Sequence, residues 1–207
     1  MRDTLRRICD LQSSYSSVNT LEMRERGNLI RHDLANEIRS LREPLVEALG
    51  DFGDDFFVEG SDGKGRKTEL AWTRFCSREM SPSATQGFYA VLHFSTNGSG
   101  VNIVVGCSSS KFSNGSNVVL PLEDVDKRCD WARKIVLEGR GSLEPFSDRN
   151  EFGARSKLPR SFERASALVK KIEYDKIEDD VCDDSVTDGG VVLVVVVDMI
   201  LINFINI

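Results

Sequence analysis

The chain has 207 residues, of which 40% are hydrophobic and 29% are charged, and its formal net charge is −6. This composition is typical of an ordinary globular protein and excludes a disordered or membrane-embedded chain. Five scattered cysteines without a CxxC pair argue against a disulfide framework or a zinc site, and the charged start MRDTLRRICDLQ lacks the apolar core of a signal peptide, so we expect a cytoplasmic protein with reduced thiols.

The first fifty residues predict helices. A short helix is expected around residues 4–11, before the serine-rich stretch SSYSS. A longer helix should follow, with Pro44 kinking or restarting it and Gly50 ending it. Its apolar positions recur every three or four residues, which places them on one helical face: Ile30, Leu34, Ile38, Leu41, Leu45 and Leu49.

The centre of the chain predicts an antiparallel meander. A short strand over 56–58 leads into the glycine-rich turn GSDGKGRK at 60–67. Three runs rich in aromatic and β-branched residues follow, at 68–77, 87–96 and 101–109. The sequence NGSG at 97–100 separates the last two runs and favours a hairpin.

Helices are expected again in the C-terminal part of the domain. A helix over 122–138 would bury Val125, Cys129, Ala132 and Val136 on one face. A last helix should begin near Ser161, with Phe162, Ala165, Leu168 and Ile172 facing inward. The expected fold class is therefore α+β, with a central curved antiparallel sheet flanked by helices over residues 1–171.

Two further segments follow this domain. Residues 172–190 hold eight acidic residues and one lysine, which predicts a solvated acidic linker. This segment carries −7 and Asp198 adds −1, so residues 1–171 carry +2 of the total of −6. Residues 191–207 form an apolar tail of unknown role, too short and too interrupted by Asp198 for a membrane span. No membrane association is expected.

No catalytic motif is convincing. The nearest approach to a phosphate-binding loop, GSDGKGRKT, has Arg66 where a lysine must follow the second glycine. The D-x-K pattern of Asp62 and Lys64, with Asp54 and Asp55 upstream, could suggest a nuclease, but a glycine-rich turn holds metal geometry poorly. We therefore expect a binding protein without metal, cofactor or enzymatic activity.

Two neighbouring features could form a binding surface. The turn at 60–67 carries Lys64, Arg66 and Lys67, and aromatic residues follow it on the strands. Strand alternation places Tyr89 and His93 on the same side of the sheet. A solvated turn beside aromatics that only fill the core is the alternative interpretation. A stacking pocket for a nucleobase would require the same residues.

The stretch TELAWTRFCSREMSPSATQGFYAVLHFSTNGSGVNIVVG at 68–106 resembles the N-terminal DNA-binding domain of McrB-like proteins. These proteins are the recognition subunits of modification-dependent, type IV restriction systems. The shared pattern is a strand with a central Trp and a nearby Phe, a small polar loop, a Gly-aromatic-Tyr strand and an apolar hairpin strand. The segment LPRSFERA at 158–165 is also similar to the family.

The resemblance implies recognition of 5-methylcytosine or a related modified cytosine in duplex DNA. The modified base would be flipped out of the helix into an aromatic pocket, for which Trp72 and Tyr89 match family positions. His93 stands at a pocket position that is apolar in the best-known member, which leaves the specificity open.

The turn at 60–67 also departs from the family pattern, because it lacks the aromatic residue that family members can insert into DNA. Lys64, Arg66 and Lys67 could instead hold DNA phosphates or fill the vacated space.

The resemblance further implies an AAA+ GTPase motor and a nuclease subunit as partners in defence against foreign DNA. Neither is expected within these 207 residues. The alternative function is an interaction module that binds a small molecule or a peptide in the same aromatic pocket.

Overall fold

A five-stranded antiparallel sheet organises the molecule. The computed structural model describes residues 1–43, 54–148 and 151–177. In these residues the main sheet contains the first four strands in chain order followed by the last strand, and the two strands between them in the sequence form a separate two-stranded sheet. Helices flank the main sheet, which confirms the predicted α+β class. Within the described ranges, no helix combines the length and apolar character needed to cross a bilayer.

The N-terminal region is helical, as predicted. It comprises α1 (Arg2–Ser13), α2 (Leu21–Asn28), a π-helical turn (Leu29–Asp33) and α3 (Leu34–Ser40). The Thr20 hydroxyl accepts a hydrogen bond from the Met23 N–H, which explains why α2 begins at Leu21. Ile30, Leu34 and Ile38 are fully buried, so the predicted apolar face is confirmed up to that point. The expected kink at Pro44, the core positions Leu45 and Leu49, and the end at Gly50 lie outside the described residues.

The predicted meander is confirmed. Four strands follow one another and pair antiparallel with their neighbours: β1 (Phe56–Ser61), β2 (Trp72–Ser77), β3 (Phe88–Phe94) and β4 (Gly100–Cys107). The turn of NGSG joins β3 to β4, where Gly98 has a positive φ of 76°. Its backbone packs against α1, because a Cβ at Gly98 would lie 2.4 Å from the carbonyl oxygen of Cys9.

A small hairpin and a long helix come next. The hairpin of β5 (Ser110–Ser113) and β6 (Ser116–Val119) was not predicted, because its mixed polar sequence lacks strand periodicity. The helix α4 (Leu122–Arg140) confirms the prediction for this region and ends at Gly141 in the left-handed conformation. Its buried residues include all four that were expected, namely Val125, Cys129, Ala132 and Val136.

The prediction of a final helix from Ser161 to Ile172 was wrong. Instead, a short helix, α5 (Lys157–Arg164), ends before residue 165, and the strand β7 (Ser166–Glu173) follows it. Leu168 and Ile172 are four residues apart, and this spacing suits one face of a strand as well as one face of a helix. The strand forms because β7 pairs along the whole of β4, whose backbone groups would otherwise be left at an unpaired sheet edge.

The two faces of the main sheet carry different clusters. The larger core packs Phe75, Leu92 and Phe94 against helical residues such as Ile30 and Leu34. The opposite face carries a smaller cluster of Leu70, Val91, Val104, Phe152 and Val169. Partly buried aromatic residues border this smaller cluster, namely Trp72, Tyr89 and Phe162. We call this second face the aromatic face.

Candidate functional site

Strand register brings the predicted pocket residues to the aromatic face. Trp72 of β2 lies opposite His93 of β3, and Arg74 lies opposite Val91. Tyr89 lies two residues from Val91 on β3 and on the same face. It is four residues from His93, which corresponds to about 13 Å along the strand at ~3.3 Å per residue. The Trp72 and Tyr89 side chains are half-buried, whereas Arg74 and Val91 are buried between them. The two rings thus flank a floor formed by Arg74 and Val91.

His93 lies deeper than the other two aromatic positions. Its ring is parallel to that of Phe162, with centroids 6.1 Å apart, and its centroid is 5.6 Å from that of Phe152. Only 4% of His93 is exposed. Burial lowers the pKa of His93 to about 4, against a smaller opposing effect of a hydrogen bond to the Ala71 backbone. His93 is therefore a neutral interior residue beside Trp72 on the same face of the sheet, and a base could touch it only after Phe152 or Phe162 moves.

The Tyr89 side chain is fixed at its hydroxyl end. The hydroxyl lies 3.2 Å from the carbonyl oxygens of Ala84 and Cys107, and it can donate to either. Burial raises the pKa of Tyr89, so the phenol remains protonated near neutral pH. This attachment leaves the ring as the part of Tyr89 that can meet a ligand.

Arg74 is a buried cation that sequence reasoning missed. Its guanidinium donates to Glu59 Oε1 at 2.6 Å and to the Ser81 hydroxyl at 2.8 Å. It also lies over the rings of Tyr89 and Phe57, at 5.4 and 5.8 Å from their centroids. Its Nη2 has no hydrogen-bond partner among the described residues. The available signal was strand alternation, which places an arginine two residues after Trp72 on the same face.

The turn at 60–67 contains two exposed cations and a third that pairs with a buried aspartate. Lys64 and Arg66 are exposed, and neither side chain has a hydrogen bond or ion pair within the described part of the chain. Lys67 instead pairs with Asp62, which also pairs with Arg31. Because Asp62 is only 1% exposed, Lys67 acts as part of the turn's internal structure.

The same contacts argue against a metal site at the D-x-K pattern. Both carboxylate oxygens of Asp62 are bound by cations, Oδ1 by Arg31 and Oδ2 by Lys67. A metal ion would have to displace these two side chains from a buried position. The described residues contain no group of three or more His, Cys, Asp or Glu side chains that could hold a metal.

A buried polar network attaches the turn to the N-terminal helices. Arg26 donates to Gln12 Oε1 at 2.6 Å and to the carbonyl oxygen of Thr68 at 2.9 Å. Gln12 in turn donates to the carbonyl oxygen of Glu69 at 2.9 Å. Burial lowers the pKa of the Arg26 guanidinium, which Asp62 partly opposes. These contacts fix where the chain leaves the turn and enters β2.

Residues 151–165, which we call the covering segment, pass over part of the aromatic face. Glu163 Oε1 accepts hydrogen bonds from the backbone N–H groups of Phe152 and Ala154, both at 2.8 Å. Glu69 Oε1 accepts from the N–H groups of Arg155 at 2.8 Å and Ser156 at 2.5 Å. Burial alone would raise the pKa of Glu69, but these hydrogen bonds outweigh it and lower the pKa. Two carboxylates thus hold the covering segment by its main chain.

Comparison with known proteins adds one finding. A family model described as MrcB-like, N-terminal domain matches residues 10–184, which confirms the resemblance expected from the sequence. No curated protein and no solved structure matches the chain.

Proposed function

The chain belongs to the MrcB-like N-terminal domain family, whose members are DNA-binding modules, and we propose that it recognises a modified cytosine in duplex DNA. The modified base leaves the double helix and enters the space between Trp72 and Tyr89. The domain performs no catalysis itself. The observation that carries this proposal is the pair of half-buried rings on either side of the Arg74–Val91 floor.

Stacking on Trp72 offsets part of the energy that base flipping requires. Extruding a base costs a few kcal/mol, and stacking on an aromatic side chain returns about 1–3 kcal/mol per base. Trp72 offers the larger surface and lies beside His93, its cross-strand neighbour. Tyr89 forms the second wall, and its anchored hydroxyl keeps the ring in place.

The modification itself contributes a smaller amount. Burying one methyl group is worth about 0.8 kcal/mol, which corresponds to roughly a four-fold difference in affinity. Val91, buried in the floor, is the apolar surface that such a group would meet. Selectivity for 5-methylcytosine over cytosine is therefore expected to be modest per site and to rest on the pocket.

The DNA backbone is held beside the pocket. Lys64 and Arg66 are exposed on a turn attached to the start of β2, and they bind phosphates next to the flipped base. Lys67 acts indirectly, because its pairing with Asp62 shapes the turn. In the cell, the module would direct a GTP-driven motor and a nuclease subunit of a type IV restriction system to foreign DNA, in the cytoplasm.

The test compares duplexes that differ at one central cytosine, which is plain, methylated or hydroxymethylated. Binding is measured by fluorescence anisotropy, and flipping by the fluorescence of 2-aminopurine next to the target base. We expect Trp72→Ala to weaken binding of the preferred duplex about 5- to 150-fold, the equivalent of about 1–3 kcal/mol of stacking, and to abolish the flipping signal.

A matched control is Trp131→Ala, because Trp131 packs on Phe88 and is not one of the pocket residues. It should keep the selectivity of the wild type. A folded Trp72→Ala protein with unchanged selectivity would show that the base does not stack on this residue. Equal failure of the wild type on all three duplexes at low salt would reject DNA recognition altogether.

A further inference from the structure

A groove with a cavity volume of about 950 Å³ separates α4 from α5. Val119 and Leu122 contribute apolar surface to it. The rest of its lining is mostly charged, and it includes cations of the covering segment. None of these residues belongs to the pocket between Trp72 and Tyr89.

The acidic residues of the groove are already occupied. Asp126 holds Arg164 by two hydrogen bonds, one of them 2.7 Å long, and Asp130 pairs with Arg133 at 2.9 Å. Glu163 accepts the two backbone N–H groups that anchor the covering segment. Glu163 is thus the one carboxylate of the lining without a cationic partner among the described residues, and the five cations of the lining exceed its three carboxylates by two.

Three cations of the groove have no such partner. Arg155, Lys157 and Arg160 are exposed, and their side chains form no hydrogen bond or ion pair with the residues that the structure describes. Lys157 and Arg160 lie three residues apart on α5, so they point to the same side of the helix. Of the three, Arg155 also interacts electrostatically with Glu69, whereas no carboxylate is paired with Lys157 or Arg160 among the described residues. A groove whose cations outnumber its carboxylates attracts an anionic ligand.

The groove lies next to the pocket, on another side of α5. Phe162 of α5 stacks on His93, which is opposite Trp72, whereas Lys157 and Arg160 line the groove. A helix with its side chains is about 10–12 Å across, which is close to the ~12 Å width of the major groove of B-DNA. The pocket and the groove are thus about one helix diameter apart, which is a separation that a duplex can span while it presents a base to Trp72.

We propose that Arg155, Lys157 and Arg160 form a second DNA-contacting surface, which binds backbone phosphates of the duplex whose flipped base occupies the pocket. This inference rests on the proposed function. The groove favours a polyanion over a peptide, because a peptide site needs buried apolar or aromatic anchor pockets and only Val119 and Leu122 supply apolar surface here. Lys64 and Arg66 then contact the duplex at the turn, and Arg155, Lys157 and Arg160 contact it at the groove.

The test is the triple variant Arg155→Ala/Lys157→Ala/Arg160→Ala, titrated with modified and plain duplexes between about 50 and 200 mM salt. Each lost phosphate contact lowers the slope of log affinity against log salt by ~0.9, so three contacts would lower it by about 2.7. Both duplexes should weaken alike, and the 2-aminopurine signal at saturation should persist, because the pocket is intact. Lys134→Ala is the control, since Lys134 pairs with Glu138 on the exposed surface of α4.

Two results would overturn the inference. One is a triple variant with wild-type affinity and salt slope, in a preparation whose wild type binds and flips the modified duplex. The other is a triple variant that binds DNA as the wild type does but no longer binds an oligoglutamate peptide that the wild type binds. This result would make the groove a protein-docking surface. Failure of the wild type to bind any duplex would instead reject the proposed function, and the inference with it.

Discussion

Acidification is expected to destabilise the protein through His93. Its pKa lies at about 4, whereas an ordinary histidine titrates at 6.5. Between these two values the unfolded chain binds a proton that the folded chain excludes, so stability falls as the pH falls. The full difference between the two pKa values corresponds to about 3 kcal/mol of unfolding free energy, and about 2 kcal/mol of it should be lost between about pH 7.5 and pH 5.

The assay is urea unfolding at several pH values, for the wild type and for His93→Leu. The wild type should lose stability at up to ~1.4 kcal/mol per pH unit in this window, and the leucine variant should not show this component. Neighbouring groups do not obscure it, because the rings and the amide nearest His93 are uncharged: Trp72, Asn102, Phe152 and Phe162. Parallel pH profiles for the two proteins, or an NMR titration of His93 near pH 6.5, would refute the reasoning.

Three further predictions concern the surroundings of the pocket. Asp62→Ala should cost about 3 kcal/mol of unfolding free energy in urea, because it leaves two cations facing each other without their carboxylate; a loss below 1 kcal/mol would show that the pairs contribute little. Gly63→Ala should destabilise the turn more than Gly65→Ala. Both glycines have a positive φ, which costs ~1 kcal/mol for alanine, but only at Gly63 would a Cβ also meet backbone, 2.3 Å from the Arg66 carbonyl oxygen. Equal losses of unfolding free energy would contradict this. Glu69→Ala should make the covering segment more susceptible to limited proteolysis, and the wild type should approach that behaviour as the pH falls through the lowered pKa of Glu69; unchanged cleavage would mean that Glu69 is not an anchor.

The central sheet could be predicted because its signals are local. Alternating aromatic and β-branched residues separated by NGSG specify β3, β4 and their hairpin within about twenty residues. The error at β7 has the opposite cause. Nothing near Leu168 distinguishes a strand from a helix, and the choice depends on an unpaired edge of β4, more than sixty residues earlier in the sequence.

The candidate site was only partly predictable for the same reason. Alternation correctly placed Tyr89 and His93 on one face. It could not show that Phe152 and Phe162 cover His93, because those residues are distant in the sequence. It also could not distinguish Lys67 from its neighbours in the turn, because the Lys67 ammonium is held by an aspartate that folding buries.

The way in which Glu69 and Glu163 hold the covering segment has an evolutionary consequence. All four of their anchoring contacts are made to main-chain N–H groups, which every residue except proline possesses. Arg155 and Ser156 are exposed, so mutations at these two positions can change the chemistry presented to DNA while the path of the chain stays the same. Relatives of this domain could diversify their target preference by exchanging these side chains, without rebuilding the scaffold beneath them.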